Sequence, residues 1–267
     1  MLRSLFTGIA GLTAHQQMLD VTANNIANVN TTGFKASSVV FQDTLSQTLS
    51  GAGTATATAG GTNSMQIGLG VKMAGTDLNM TQGGNQATGI GTHLMINGDG
   101  YFMINKDGEH LYTRAGAFHL DESGHLTTSD GAIVENAAGT DLDLSALTSG
   151  TYVSYSIDDS GTVNAVDAAG TTTALGQVGI ATFANPNGLE KVGDSAYQAS
   201  ASSGAAQMGA ANSGPRGSIS AGYLEMSNVD LSAQLTDLII SERGFQANSK
   251  VITTADQILQ TLVNLKS

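Results

Sequence analysis

Apolar positions along this chain follow two different periods. Near the N-terminus Leu2, Leu5, Ile9 and Leu12 recur at alternating spacings of three and four, and the spacing continues through Gln16 to Leu19, Ala23 and Ile26. Near the other end Leu231, Leu235, Leu238, Phe245, Ile252, Leu259 and Val263 share a stripe of the same kind, broken by Glu242, Ser249 and Asp256, with Ser241 lying off it. Apolar residues at this spacing line one face of an α-helix and offer a seam to a partner helix. Val251, Ala255, Ile258, Leu262 and Leu265 form a second stripe beside the first. A helix with two apolar stripes has to bury more than one face. One partner within the chain covers one stripe; the other needs another molecule.

Local signals place the ends of these helices. Ser227, Asn228 and Asp230 are N-cap candidates, because their side-chain oxygens can accept from free backbone N–H groups of a first turn. From there the chain has no proline and only Gly244 as a glycine, which predicts about 36 residues of helix spanning about 55 Å. The first helix exits through "DVTANNIANVNTTGFK", residues 20–35, where Asn30, Thr31 and Thr32 favour local backbone bonds over a helix interior. Gly33 supplies the left-handed stop, and Phe34 an apolar anchor. Asn24, Asn25 and Asn28 are able to bond to neighbouring backbone or to another subunit.

The middle has period two. "YFMINKDGEHLYTRAGAFHLDESGHLTTSDGAIV" alternates short apolar runs with turns at Asp107-Gly108, Ser123-Gly124 and Asp130-Gly131, and runs at 152–157, 162–166 and 178–183 extend the series. These are hairpin signals of an all-β module. Residues 50–64 and 198–217 are poor in large apolar residues and read as flexible connectors. The expected class is therefore α+β: a discontinuous helical domain from 1–35 plus 223–267, a central mainly-β domain over 70–200, and connectors at 36–69 and 201–222.

Charge sharpens this division. Of 10 basic and 22 acidic residues, the two ends hold five basic against six acidic, and the middle five against sixteen. Near-neutral ends are free to associate while acidic middles repel. The net charge of −12 argues against nucleic acid, and no apolar run reaches the length a membrane helix needs. With no cysteine there is no disulfide and no thiolate chemistry. "MLRSLFTGIAGLTA" imitates a secretion signal only in part, since Thr7, Gly8 and Gly11 interrupt it and the helical spacing runs on past it.

Candidate chemistry is sparse. His110, His119 and His125 lie on or beside predicted strands without a close ligand pair, and read as strand-edge histidines rather than a metal site. Asp158 and Asp159 sit in a "DDSG" turn that suits aspartate for conformational reasons. Neither a nucleophile elbow nor a phosphate loop is present. No catalytic residue, cofactor or metal is expected.

Several long motifs carry a resemblance. "LFTGIAGLTAHQQMLDVTANNIANVNTTGFK" and "GYLEMSNVDLSAQLTDLIISERGFQANSKVITTADQILQTLVNL" resemble the N- and C-terminal signatures of the bacterial flagellar rod and hook proteins; "TQGGNQATG", "LMINGDGYFMI" and "YTRAGAFHLDESGHL" resemble that family between them, in its order. The resemblance implies an axial protein of the flagellum, exported through the flagellar export apparatus without a cleaved signal. It implies a homopolymer in the form of a hollow helical tube, with the terminal helices inside and the β domain outside. Other rod, hook-cap and hook–filament junction proteins would be its neighbours. "ERGFQANSKVITTADQILQTLVNL" and "GGTNSMQIGLGV" look most like a short hook protein, a flexible joint passing torque from motor to filament, with a distal rod protein as the alternative. The expected assembly contacts are the main-stripe residues Leu2, Leu5, Ile9, Leu12, Leu19, Ile26, Leu231, Leu235, Leu238, Phe245, Ile252, Leu259 and Val263.

Overall fold

A computed structural model describes residues 2–54, 60–148 and 151–266. The chain divides into two compact units, one of Met1–Ala27, Ser37–Leu78 and Asp230–Ser267, the other of Asn28–Ala36 and Asn79–Val229.

The first unit contains two long helices, α1 (Leu2–Ala27) and α3 (Leu231–Lys266), the last of three α-helices among the described residues. The cap of α3 is Asp230, whose Oδ1 accepts from the N–H groups of Ser232 at 2.9 Å and Ala233 at 3.3 Å. The helices run antiparallel, since Gly11 faces Asn248, His15 faces Gly244 and Asn25 bonds to Gln234. Residues 37–78 complete the unit and differ from the connector expected over 36–69. Strands β1 (Ser37–Asp43), β2 (Ser46–Ser50), β3 (Met65–Gly68) and β4 (Val71–Leu78) form a two-stranded antiparallel ribbon, β1 on β4 and β2 on β3. A bridge between Gly53 and Thr62 prolongs it; residues 55–59, inside the expected connector, lie outside the described residues. The ribbon's strands carry Val39, Val40, Phe41, Met65, Ile67, Val71 and Met73, and backbone hydrogen bonds pair them into a ladder.

The second unit is built of short strands. In chain order these are β5 (Asn85–Ala87), β6 (Leu94–Asn97), β7 (Tyr101–Lys106), β8 (Glu109–Thr113), β9 (His119–Leu120), β10 (Leu126–Thr127) and β11 (Ile133–Val134). After the short helix α2 (Ser145–Thr148) come β12 (Tyr152–Ile157), β13 (Thr162–Asp167), β14 (Thr172–Gln177), β15 (Gly179–Thr182), β16 (Glu190–Gly193), β17 (Ala196–Gln198), β18 (Gln207–Ala210), β19 (Ser218–Ala221) and β20 (Tyr223–Glu225). The main sheet orders β16-β17-β8-β7-β11-β10-β9, with β15 joining β7 to β18, and β12-β13-β14 form a separate meander. The three expected turns are present: Asp107 and Gly108 have φ of 55° and 89°, Gly124 85° and Gly131 81°. The Asp158 carboxylate accepts from the N–H groups of Ser160 and Thr162, both at 2.9 Å, so it serves its own turn. The expected connector over 201–222 holds β18 and β19, and Arg216 braces that stretch by donating to Met208 O at 2.7 Å.

The core belongs to this unit. Leu94, Phe102, Phe118, Val134, Val163, Val178, Ile180 and Ile219 are sealed from solvent, and Phe102 and Phe118 meet edge-to-face at 5.1 Å.

Candidate functional site

The helix pair of the first unit is joined by its smallest and most polar residues. On α1 the buried positions are Gly8, Gly11, Ala14, Thr22 and Asn25; on α3 Ser241 is fully buried and Ala255 nearly so. A single carbon added at Gly11 would lie 2.6 Å from Asn248 Oδ1, and one at Gly244 would lie 2.4 Å from the His15 ring. These glycines give up helix propensity to make room for the Asn248 and His15 side chains of the facing helix. Polar side chains fill the remaining gaps. Asn248 Nδ2 donates to Gly244 O at 2.9 Å, and Ser241 Oγ donates back to Asp237 O at 2.8 Å. Asn25 answers the question raised by its stretch: Nδ2 donates to Ser37 O at 2.7 Å and to Gln234 Oε1 at 2.8 Å, while Oδ1 accepts from Ser37 N at 3.0 Å.

The large apolar side chains lie on either side of this contact. Leu231, Leu235, Phe245 and Val263 occupy one flank of α3, and Ile240, Val251, Ile258, Leu262 and Leu265 the other; all nine are between 37% and 79% exposed. On α1, Phe6 and Ile9 are exposed in the same way. Both flanks present large apolar residues without cover from the rest of the described chain. Each such side chain, when buried fully, contributes about 1.5–3 kcal/mol.

The stripe read from spacing is thus divided. Leu238, Ile252 and Leu259 are half-buried, with Ile252 against Gly8, and Leu5, Leu12, Leu19 and Ile26 are half-buried on α1. Leu231, Leu235, Phe245, Val263 and Ile9 face outward, and the side chain of Leu2 lies outside the described residues. Ser241, off the stripe by spacing, sits at the centre of the helix contact. Counting apolar residues misses a contact made by small ones. The available signal was glycine at 8, 11 and 244, inside otherwise helical runs.

The second unit holds a cleft of about 650 Å³ whose apolar floor includes Ile104, Leu111 and Ala132 and whose rim includes Asp107, Glu109 and Asp130. Lys106 pairs with Asp194 at 3.0 Å on the same rim. No nucleophile–base pair converges there. Of the three histidines, His110 bonds through Nδ1 to Glu135 Oε1 at 2.6 Å, His125 Nδ1 lies 3.1 Å from Leu142 O, and His119 is exposed. Burial pushes the Glu135 carboxyl above its ordinary value, with the His110 hydrogen bond pulling the other way. Among the described residues no three His, Asp or Glu side chains gather closely enough to hold a metal, and no helix is long and apolar enough to cross a membrane.

Three family models match in chain order: "Flagella basal body rod protein" over residues 5–35, "Flagellar hook protein FlgE/F/G D1 domain" over 95–165, and "Flagellar basal body rod FlgEFG protein C-terminal" over 220–265. The chain is 50% identical over 269 residues to the flagellar basal-body rod protein FlgG of Bacillus subtilis, with both chains covered in full. It is 37% identical to FlgG of Borreliella burgdorferi, covering 100% of this chain and 99% of that one. It is 28% identical to the flagellar hook protein FlgE of Borreliella burgdorferi over an alignment of 443 positions, with both chains again covered in full. Similarity along the whole chain leads to one conclusion: the protein belongs to the bacterial flagellar rod and hook family and is an axial structural subunit of the flagellum.

Proposed function

We propose that this chain is a distal rod protein of the flagellar basal body. That reverses the preference for hook drawn from the motifs around Phe245-Gln246 and residues 60–71. The observation that carries the reading is length together with identity: the 50% identical rod relative aligns end to end over 269 residues, whereas the 28% identical hook relative needs 443 positions. A short motif at one helix end weighs less than a match along the whole chain.

In this reading the subunit polymerises with copies of itself into a hollow tube and meets other axial proteins at the tube's ends, after passing through the flagellar export apparatus. The exposed flanks of α1 and α3 make the contacts between copies. Electron microscopy of the purified chain under polymerising conditions tests the assignment. Straight tubes are expected. Curved tubes would return it to hook, and persistent monomers would overturn self-assembly.

A further inference from the structure

Three parts of the chain meet at one carboxylate inside the second unit. Glu225 Oε1 accepts from Lys35 Nζ at 2.6 Å and from Gly83 N at 3.0 Å, and Oε2 accepts from Arg114 Nη1 at 3.1 Å. Lys35 and Glu225 are 1% exposed and Arg114 5%. Two further donors go to backbone, Lys35 Nζ to Thr81 O at 2.8 Å and Arg114 Nη2 to Gly98 O at 2.7 Å, while the buried Arg114 Nε has no hydrogen-bond partner among the described residues. Burial pulls the Lys35 ammonium below its ordinary value, and the Glu225 carboxylate pulls it back.

The same segments are laced together by backbone bonds. Gly33 N donates to Glu225 O and Met226 N to Gly84 O, both at 2.8 Å, and Asn79 N donates to Ala36 O at 2.8 Å. Asn228 closes the group: its Oδ1 accepts from Ala36 N at 2.8 Å and its Nδ2 donates to Asn79 O at 2.7 Å. Lys35 ends the motif of the first family match, Arg114 lies in the second and Glu225 in the third.

The charges are unequal. Two cations share one anion, and the anion is the last of the three along the chain, 190 residues after Lys35 and 111 after Arg114. Contacts of such separation form late, because the loop they close has to be ordered first. Before then, sealing Lys35 and Arg114 from water would bury two unpaired like charges, which is strongly unfavourable.

We propose that Glu225 is the closing group of the β unit: segments 33–36 and 79–84 stay open until the strand carrying Glu225 is in place, so the unit cannot seal around an incomplete chain. The lock lies wholly inside the second unit and does not depend on whether the polymer is rod or hook.

The test is hydrogen exchange on the full chain as a monomer, for the wild type, Glu225→Gln, Lys35→Met and Lys35→Met/Glu225→Gln. In Glu225→Gln the amides of Gly33, Asn79 and Met226 should exchange at least about 100-fold faster, the effect of breaking a buried pair. The core amides of Phe102 and Leu111 should change less than about tenfold, as expected for local opening. Lys35→Met alone leaves one cation on one carboxylate and should be milder. Added to Glu225→Gln, it should recover at least about tenfold of the lost protection, because it removes one of the two stranded charges. Unchanged exchange in Glu225→Gln would overturn the proposal, and so would additive losses in the double variant. If Glu225→Gln fails to fold, recovery of folding in the double variant supports the lock, and a double variant equally unfolded contradicts it.

Discussion

The two units solve opposite problems with the same residue alphabet. The second seals Phe102, Phe118, Leu94 and Ile180 completely in a core of its own residues. The first holds its two helices together through Gly8, Gly11, Ser241, Gly244 and Asn248 and leaves Leu235, Ile240, Ile258, Leu262 and Val263 to water. Large side chains buried within one chain make a finished domain. Large side chains withheld from the chain's own contact are what the proposed assembly would use. The small and polar contact pairs α1 with α3 through close fit and the Asn25–Gln234 hydrogen bond, and leaves much of the helices' large apolar surface uncovered within the chain.

Substitutions that strike one unit and spare the other break or sharpen this contrast. Phe118→Ala should have the largest effect, about 3–5 kcal/mol, because it opens a cavity in a sealed core. Thermal unfolding of the second unit should shift down by roughly 10 °C, while the helix contact is untouched. Ser241→Asp should cost about 3 kcal/mol in the first unit, by placing an unpaired carboxylate at the centre of the helix contact. The readout is loss of protection of the α1 amides in hydrogen exchange, with unchanged melting of the second unit. Spacing alone would have made this the mild substitution; burial makes it severe.

The smallest effect is a pH dependence confined to the second unit. Burial raises the folded-state value of Glu135 above that of the unfolded chain. The folded state therefore holds its proton longer, and this contribution is complete below the ordinary glutamate value and is lost as pH rises through the raised one. Glu135→Gln should flatten that part of the stability–pH curve, measured by chemical denaturation across the acidic range.

Much of this architecture was legible because long-range periodicity is a property of sequence. The spacing of Leu231 to Val263 located α3, and Asp107-Gly108 and Asp130-Gly131 located hairpins. The ribbon over 37–78 was not legible, because its apolar residues, Val39, Val40, Phe41, Met65, Ile67, Val71 and Met73 among them, fall in short strands whose partners are set by backbone pairing across a long intervening stretch. The face that α3 turns toward α1 was hidden for a related reason. Its residues, Ser241, Gly244 and Asn248, lie off the apolar stripe and are small or polar. The charged cluster around Glu225 was out of reach because its members lie too far apart in the chain for any local pattern.

The central claim is that the outward flanks of α3 exist for other copies of the chain. It is tested most directly by sedimentation of Leu235→Asp and Ile258→Asp beside the wild type under polymerising conditions, one variant for each flank. Both positions are about half exposed, so a charge there meets water in the monomer and is buried only on assembly. The account predicts that the wild type pellets as tubes while each variant stays in the supernatant as a folded monomer with unchanged helix content. Variants that pellet like the wild type would contradict it.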